Sequence, residues 1–378
     1  MQRTVVAPHV TSGFTQARYP AIARASSRVL LMMWEALPSE CATRTSAELA
    51  GANPASPEEP HYRRLCPTSL CLSRSFDNGL TWEEPRTLAA GNPQEFLGFH
   101  VPSFLHDRVT GRMFCFYTRS LVPGWDSRQA QTALFVAWTD DDGLTWEHQD
   151  ATSMIIAGRD FTMAYIPRGR GTQLTAGQWA QRLCHAGVIV DESGDRKAVF
   201  IGSDDHGASW WASPPVGANV DYCSAVSNSD GTEVMLLIKT QGSTVKTWAK
   251  STDGGRTFGQ PAAAMDSRLI NIMSPLEEVF HGACPGTPHA DVFSYIGERT
   301  VCNGDCTVLM LSVDGARSFR EAAIFDVKTY GAIDIVSLAD QAKFAIAYEG
   351  PDGVVCEILP FSKLSSIKAL AEQWAQQA

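Results

Sequence analysis

The residues that first invite a chemical reading in this 378-residue chain are five aspartates set in one recurring pattern, Ser/Thr-x-Asp-x-Gly-x-Ser/Thr-Trp/Phe. They are Asp77, Asp141, Asp205, Asp253 and, in a degenerate copy, Asp314. Carboxylates repeated beside hydroxyls can act as acids, as bases or as calcium ligands. The pattern lacks the carboxylate-rich spacing of an EF-hand loop. Each residue type does have a function in a tight hairpin. The Asp carboxylate accepts backbone N–H groups that the turn leaves unpaired, and the hydroxyl assists it. Gly permits a positive φ, and the closing aromatic buries an apolar face beside the turn. The five aspartates therefore read as structural. Cys302 and Cys306 form the one close cysteine pair, and neither a second pair nor a His-x3-His follows, so no zinc site and no other metal site is expected.

The spacing of the motifs tells what must position any real site. Successive aspartates stand 64, 64, 48 and 61 residues apart, a period that marks one repeated supersecondary unit such as a propeller blade. Strand-length apolar runs, among them Val29–Trp34, Met113–Tyr117 and Ala345–Tyr348, are bounded by Gly, Pro and Asp turns. Units carrying the motif occupy about 18–90, 98–150, 170–214, 220–262 and 285–325, and a sixth combines 330–360 with the first N-terminal strand. Such closure removes exposed sheet edges. The fold class expected is all-β, a six-bladed β-propeller filling residues 1–378 as one domain. A short C-terminal helix is expected at about 365–376, with Ile367, Leu370, Ala371 and Trp374 on the face that packs against the propeller side. Residues 37–66 and 265–292 show no strand pattern, and loops of that length are usually functional or mobile.

A net charge of −10 argues against a general nucleic-acid or anionic-membrane binder, although an anionic small ligand remains compatible where basic residues converge. No apolar run is long enough to span a membrane. Met1–Pro8 lacks the apolar core of a secretory signal, so a cytoplasmic location is the default expectation. Several of the ten cysteines, such as Cys71, Cys115 and Cys356, lie within strand-like runs and are expected to be buried free thiols. Oligomeric state is not legible.

The repeated motif resembles the Asp-box of sialidases (neuraminidases) and related propellers. That resemblance implies the six-bladed fold, but it is weak evidence of activity, because such boxes also occur on propellers with other functions. Sialidases also carry an aromatic-Arg-Ile-Pro segment before the first box, whose Arg binds the carboxylate of sialic acid. Here Ala17-Arg18-Tyr19-Pro20-Ala21 precedes an apolar strand ending in Trp34-Glu35, so Arg18 matches that Arg, and Glu35 is taken as part of the same binding site. A guanidinium suits the role because it pairs with a carboxylate through two N–H groups. Lys239 falls where the family keeps a second Arg, and Arg299 is the nearest candidate for the third. Glu349 matches the late Glu that braces the first Arg.

In the family mechanism a Tyr is the nucleophile, a Glu activates it, and an Asp is acid and base. A phenol relieved of its proton by a neighbouring carboxylate avoids the repulsion an anionic nucleophile would meet at the carboxylate-bearing anomeric carbon. Tyr330 stands four residues before Asp334, where the family has a spacing of two. Asp221, beside Tyr222, can substitute for the activating Glu. No Asp precedes Asp77, so the acid/base would come from the irregular loop: Glu40, the first choice, or Glu48, Glu58, Glu59 or His61. The resemblance thus implies a retaining glycosidase that releases a terminal sialic acid or related acidic sugar from glycoconjugates, without a cofactor. Two alternatives stay open: a propeller enzyme acting on another sugar by hydrolysis or elimination, and a carbohydrate-binding propeller without catalysis.

Overall fold

A computed structural model describes residues 2–11, 13–39, 66–123, 129–156, 158, 160–167, 169–174, 176–227, 231–241, 243, 246–263, 277–280, 292–301, 304–312, 320–325, 333–338 and 343–360. These residues form six antiparallel sheets, the blades, of four strands each except for a fifth short piece in blade 3. Blade 1 runs Phe14–Arg24, Leu30–Pro38, Ser69–Ser75 and Arg86–Ala89. Blade 2 runs Leu97–His106, Met113–Leu121, Gln131–Thr139 and Glu147–Asp150. In blade 3 the first strand is split into Met163–Tyr165 and Thr172–Gln173, followed by Leu183–Val190, Arg196–Ser203 and Trp211–Ala212. Blade 4 holds Val220–Ser227, Val234–Thr240, Lys246–Ser251 and Ala262–Ala263. Blade 5 holds Glu277–Phe280, Val292–Val301, Gly304–Ser312 and Arg320–Phe325. Blade 6 holds Ile333–Leu338, Lys343–Gly350 and Gly353–Pro360, with Gln2–Pro8 as its fourth strand.

The closure expected from sequence is therefore present. Gln2 pairs opposite Ile358 and Val5 opposite Val355. First strands touch first strands of neighbouring blades, as in blades 6, 1 and 2, so they line the axis. The core lies between blades rather than within any one of them. Leu31, Met33 and Leu70 of blade 1 pack on Phe104, Cys115 and Tyr117 of blade 2, and Phe116 and Leu134 of blade 2 pack on Val199 and Ile201 of blade 3. Alternating strand residues thus bury on both faces of each sheet, which is why the runs read as nearly continuous apolar stretches. Cys66, Cys71, Cys115, Cys184, Cys223 and Cys356 are buried and free, as expected of Cys71, Cys115 and Cys356. The tail expected to be helical lies outside the described residues.

The Asp-boxes behave as turn chemistry. In each of the four described copies the box joins the third strand to the fourth, on the outer side of the blade. Asp141 Oδ1 accepts the Thr139 hydroxyl at 2.7 Å and the Thr145 amide at 2.8 Å, while Oδ2 accepts the Thr145 hydroxyl at 2.6 Å. Asp77, Asp205 and Asp253 repeat this set. The box glycine takes φ values of 89°, 78°, 83° and 91° at Gly79, Gly143, Gly207 and Gly255. It also abuts the preceding blade. A β-carbon at Gly207 would lie 2.3 Å from the Phe114 ring, one at Gly255 2.5 Å from Phe200, and one at Gly143 2.7 Å from Leu31. Each box is a clasp that fastens one blade onto the blade before it. The fifth box lies outside the described residues.

Candidate active site

Two proline dipeptides on neighbouring inner strands shape the site. Arg18 pairs opposite Glu35, but Ala21 pairs opposite Met33, so Tyr19-Pro20 inserts one extra residue. In blade 2, His100 pairs opposite Thr118 and Ser103 opposite Phe116, so Val101-Pro102 does the same. Proline has no N–H for the ladder, and a bulge re-aims the neighbouring side chains. Both bulges hold the residue before proline at positive φ, 53° for Tyr19 and 53° for Val101. A non-glycine residue there costs on the order of 1–3 kcal/mol and persists only where surrounding contacts enforce it.

Those contacts converge on Glu35, whose side chain is 1% exposed. Its Oε2 lies 3.1 Å from Arg18 Nε, and its Oε1 accepts the strained Val101 amide at 2.8 Å. His100 Nδ1 stands 3.8 Å from Oε2, and the ring is fixed by the Thr68 hydroxyl at 3.1 Å and the Ser120 hydroxyl at 2.7 Å. Burial works against the Glu35 anion, but Arg18, His100 and the Val101 amide together hold its carboxyl below the ordinary range. Burial likewise works against the Arg18 cation, but the Glu35 carboxylate together with Cys66 and Tyr19 more than offsets it, so Arg18 stays charged. The Tyr19 ring covers the Arg18 guanidinium, with the guanidinium carbon 5.0 Å from its centroid.

A second pair forms in blade 4, where another bulge falls between Val220 and Tyr222. Lys239 Nζ is 3.2 Å from Asp221 Oδ2, and Arg196 of blade 3 lies 3.8 Å from Oδ1. Lys239 thus shares its charge with the carboxylate expected to serve as the base.

Deeper on the axis, Arg170 reaches across from blade 3. Its guanidinium donates to the Ile22 carbonyl and lies 3.5 Å from Asp334 Oδ2 of blade 6. The same Oδ2 accepts the Ile22 amide at 2.8 Å, and Oδ1 accepts the Ile335 amide at 2.9 Å. Ile22 is on an inner strand, whose axial edge would otherwise leave its backbone groups unpaired. Burial pushes the Asp334 carboxyl up despite Arg170 beside it. Ser103 donates to the Gly169 carbonyl and lies 2.8 Å from His185 Nε2. Burial pulls His185 down to about 4, so the imidazole is neutral near pH 7.

The structure brings together candidate residues that the sequence had not paired, Arg18 with Glu35 and Lys239 with Asp221. Glu349 is buried on the second strand of blade 6, but among the described contacts the carboxylate that meets Arg18 is Glu35, its directly opposite neighbour in the ladder. Arg299 lies on the second strand of blade 5, opposite Cys306. Tyr330, Glu40, Glu48, Glu58, Glu59 and His61 lie outside the described residues. Sequence reasoning missed His100, Val101, Arg196 and Arg170. A signal for the first two existed: Arg18-Tyr19-Pro20-Ala21-Ile22 and His100-Val101-Pro102-Ser103-Phe104 share a pattern of basic residue, spacer, proline, small residue and apolar residue.

A ring of six such blades clasped by Asp-boxes is the propeller of the sialidase superfamily. Residues 67–279 match the family of BNR repeat-like domains, more than half of the chain, and the chain belongs to that family. Over 297 residues it is 28% identical to a sialidase of Micromonospora viridifaciens, a match covering 76% of this chain and 46% of that protein, so the chain spans about half of the relative's length. Among solved structures it is similar to the Hadza microbial sialidase Hz136, with a TM-score of 0.74 and 18% identity over 93% of this chain and 67% of that one. It is also similar to the intramolecular trans-sialidase of Ruminococcus gnavus, with a TM-score of 0.69 and 14% identity over 96% and 98% of the two chains. The sialidase of Trypanosoma rangeli gives 0.68 and 13% over 96% and 57%. At these identities the structural likeness is one of fold.

Proposed function

We propose that the protein is a glycoside hydrolase of the sialidase type, releasing a terminal sialic acid or related acidic sugar with retention of configuration. The observation that carries this reading is the Arg18–Glu35 pair, a half-buried cation held by a 3.1 Å contact at the first inner-strand bulge. Glu35 takes the Nε edge of the guanidinium, which the Cys66 side chain also meets, and a sugar carboxylate would engage it from its Nη side. The similarity to the Micromonospora viridifaciens sialidase supports the substrate class.

In this reading Tyr330 attacks the anomeric carbon and Asp221 takes its proton, since a phenol with a reference pKa of about 10 needs a base near neutrality. A carboxylic acid from the irregular first-blade loop, Glu40 in the first instance, protonates the leaving oxygen and then activates water. A second reading, an altered sugar or binding without turnover, draws on one observation. Lys239, standing where the family keeps an Arg, is 3.2 Å from Asp221 and is a point charge rather than a fork.

The test is turnover of a panel of fluorogenic glycosides that includes sialosides, by the parent chain and by Arg18→Ala and Tyr330→Phe. Sialoside cleavage lost in both variants, with acid binding kept in Tyr330→Phe, is the expected result. Retained turnover in Tyr330→Phe would remove the covalent step, and unchanged acid affinity in Arg18→Ala would remove the binding site.

A further inference from the structure

Arg18 is followed by an aromatic residue that the backbone holds at φ 53°, inside a bulge that places Tyr19-Pro20 opposite a single residue of the next strand. The ring is folded back over the guanidinium of its own neighbour, 5.0 Å from centroid to guanidinium carbon. Glu35 occupies the Nε edge of the same guanidinium at 3.1 Å. The Cys66 side chain also hydrogen-bonds the guanidinium, so Glu35, Cys66 and the Tyr19 ring together fix how much of Arg18 is left for a ligand. We infer that Tyr19 is a specificity-determining positioning residue, which fixes the plane of Arg18 and so selects a flat carboxylate over a tetrahedral anion.

The physical argument rests on shape and on the ring's quadrupole. A carboxylate paired through two N–H groups lies in the guanidinium plane and keeps both oxygens clear of the tyrosine face. A sulfate or phosphate paired through two oxygens projects its other oxygens above and below that plane. One of them points at the negative face of the Tyr19 ring, which repels it. The same ring stabilises the guanidinium by cation–π attraction and limits its rotation about the side-chain axis. An aliphatic residue at 19 would do neither. This inference rests on the reading of Arg18 as the anion-binding group, and it goes beyond that reading by naming what sets the anion's geometry.

The experiment measures binding rather than turnover. Dissociation constants for free N-acetylneuraminic acid and for inorganic sulfate are determined by isothermal titration calorimetry on the full chain, as parent, Tyr19→Leu, Tyr19→Phe and Arg18→Ala. Thermal melting of each variant is recorded in parallel. The expected result is a loss of about five- to tenfold in acid affinity for Tyr19→Leu, the cost of ordering on binding a side chain that the ring no longer holds in place. Sulfate affinity should fall less or rise, so that the carboxylate-to-sulfate ratio narrows, while Tyr19→Phe keeps the parental ratio. A purely structural role would weaken both anions together and leave the ratio unmoved, which overturns the inference. Acid binding that depends on Arg18 but is unaffected in a folded Tyr19→Leu overturns it as well and leaves the Arg18 reading standing. Acid affinity unchanged in Arg18→Ala overturns both. Should Tyr19→Leu melt below the assay temperature, Tyr19→His decides instead: it keeps a flat ring, so it must keep a ratio close to the parental one.

Discussion

Arg170 and Asp334 face one another across the propeller axis at 3.5 Å, one from blade 3 and the other from blade 6. Blades that are three apart in a ring of six lie on opposite sides, so this pair is a crossbar. Between its two charges it serves both backbone groups of Ile22, accepting the amide and donating to the carbonyl. Three blades are thus tied at one point.

Breaking the crossbar from one side is expected to be expensive. Arg170→Met leaves a buried carboxylate without its cation, a change that typically costs about 3–5 kcal/mol. The double variant Arg170→Met/Asp334→Asn should recover a good part of that loss, because Asn still accepts the Ile22 amide and carries no charge. Urea unfolding of the two single variants and the double variant near neutrality provides the cycle; strict additivity would show that the two residues do not act together.

The pH dependence of Asp334 has a definite sign. Its carboxyl is raised in the folded chain, by burial first and in spite of Arg170. Its contribution is therefore fully present below the unfolded value of about 3.9 and is lost as pH rises through the raised folded value. Asp334→Asn should flatten the fall in stability that begins as pH rises past the unfolded value, which chemical denaturation at several pH values will read out.

Glu35 has the opposite sign. Its carboxyl is held below the ordinary range, burial being outweighed by Arg18, His100 and Val101. Its stabilisation is present above the unfolded value of about 4.3 and disappears as pH falls through the lower folded value. Glu35→Gln should cost on the order of 1–3 kcal/mol at pH 7, where the half-buried Arg18 loses its carboxylate partner. The gap between variant and parent should shrink on acidification below pH 4; a gap that is constant with pH would argue against the ion pair as its source.

The boxes are expected to affect stability without affecting recognition. Asp141 accepts three hydrogen bonds within its turn and is pulled down to about 2, chiefly by the Thr145 hydroxyl and then its amide. Gly207→Ala must place a methyl group 2.3 Å from the Phe114 ring at a φ of +83°. Loss of about 1–3 kcal/mol is expected for this glycine, from strain and overpacking together. Acidic-sugar affinity of the folded protein should match the parent in both Asp141→Ala and Gly207→Ala, and a drop in affinity would place the boxes nearer the site than their outer position does.

The blade count, the closure by the N-terminal strand and the turn role of the aspartates were all legible in the sequence, because each follows from local repetition. Arg18 and Glu35 were each legible as binding residues, but their direct pairing across one hairpin was not. What the sequence concealed was the convergence of residues distant along the chain. Nothing local to Arg170 announces that it reaches Ile22, 148 residues away, or Asp334. Glu35 had been placed in the binding site without a specific role, and its 3.1 Å contact with Arg18 supplies one. His100 and Val101 were missed because their likeness to Arg18 and Tyr19 lies in backbone geometry, an X-Pro bulge at positive φ, rather than in side-chain type.

The composite sixth blade sets an order of events during synthesis. Val5 must wait for Val355, its partner 350 residues later (355 − 5), before its strand has a neighbour. At roughly 5–20 residues per second a ribosome needs about 20–70 s to deliver that partner. Throughout that interval the strand Gln2–Pro8 is an unpaired β-segment beside a growing stack of blades. The earliest strand of the propeller to emerge is thus the last to dock, and a nascent chain stalled before residue 353 is an open arc with two adhesive edges.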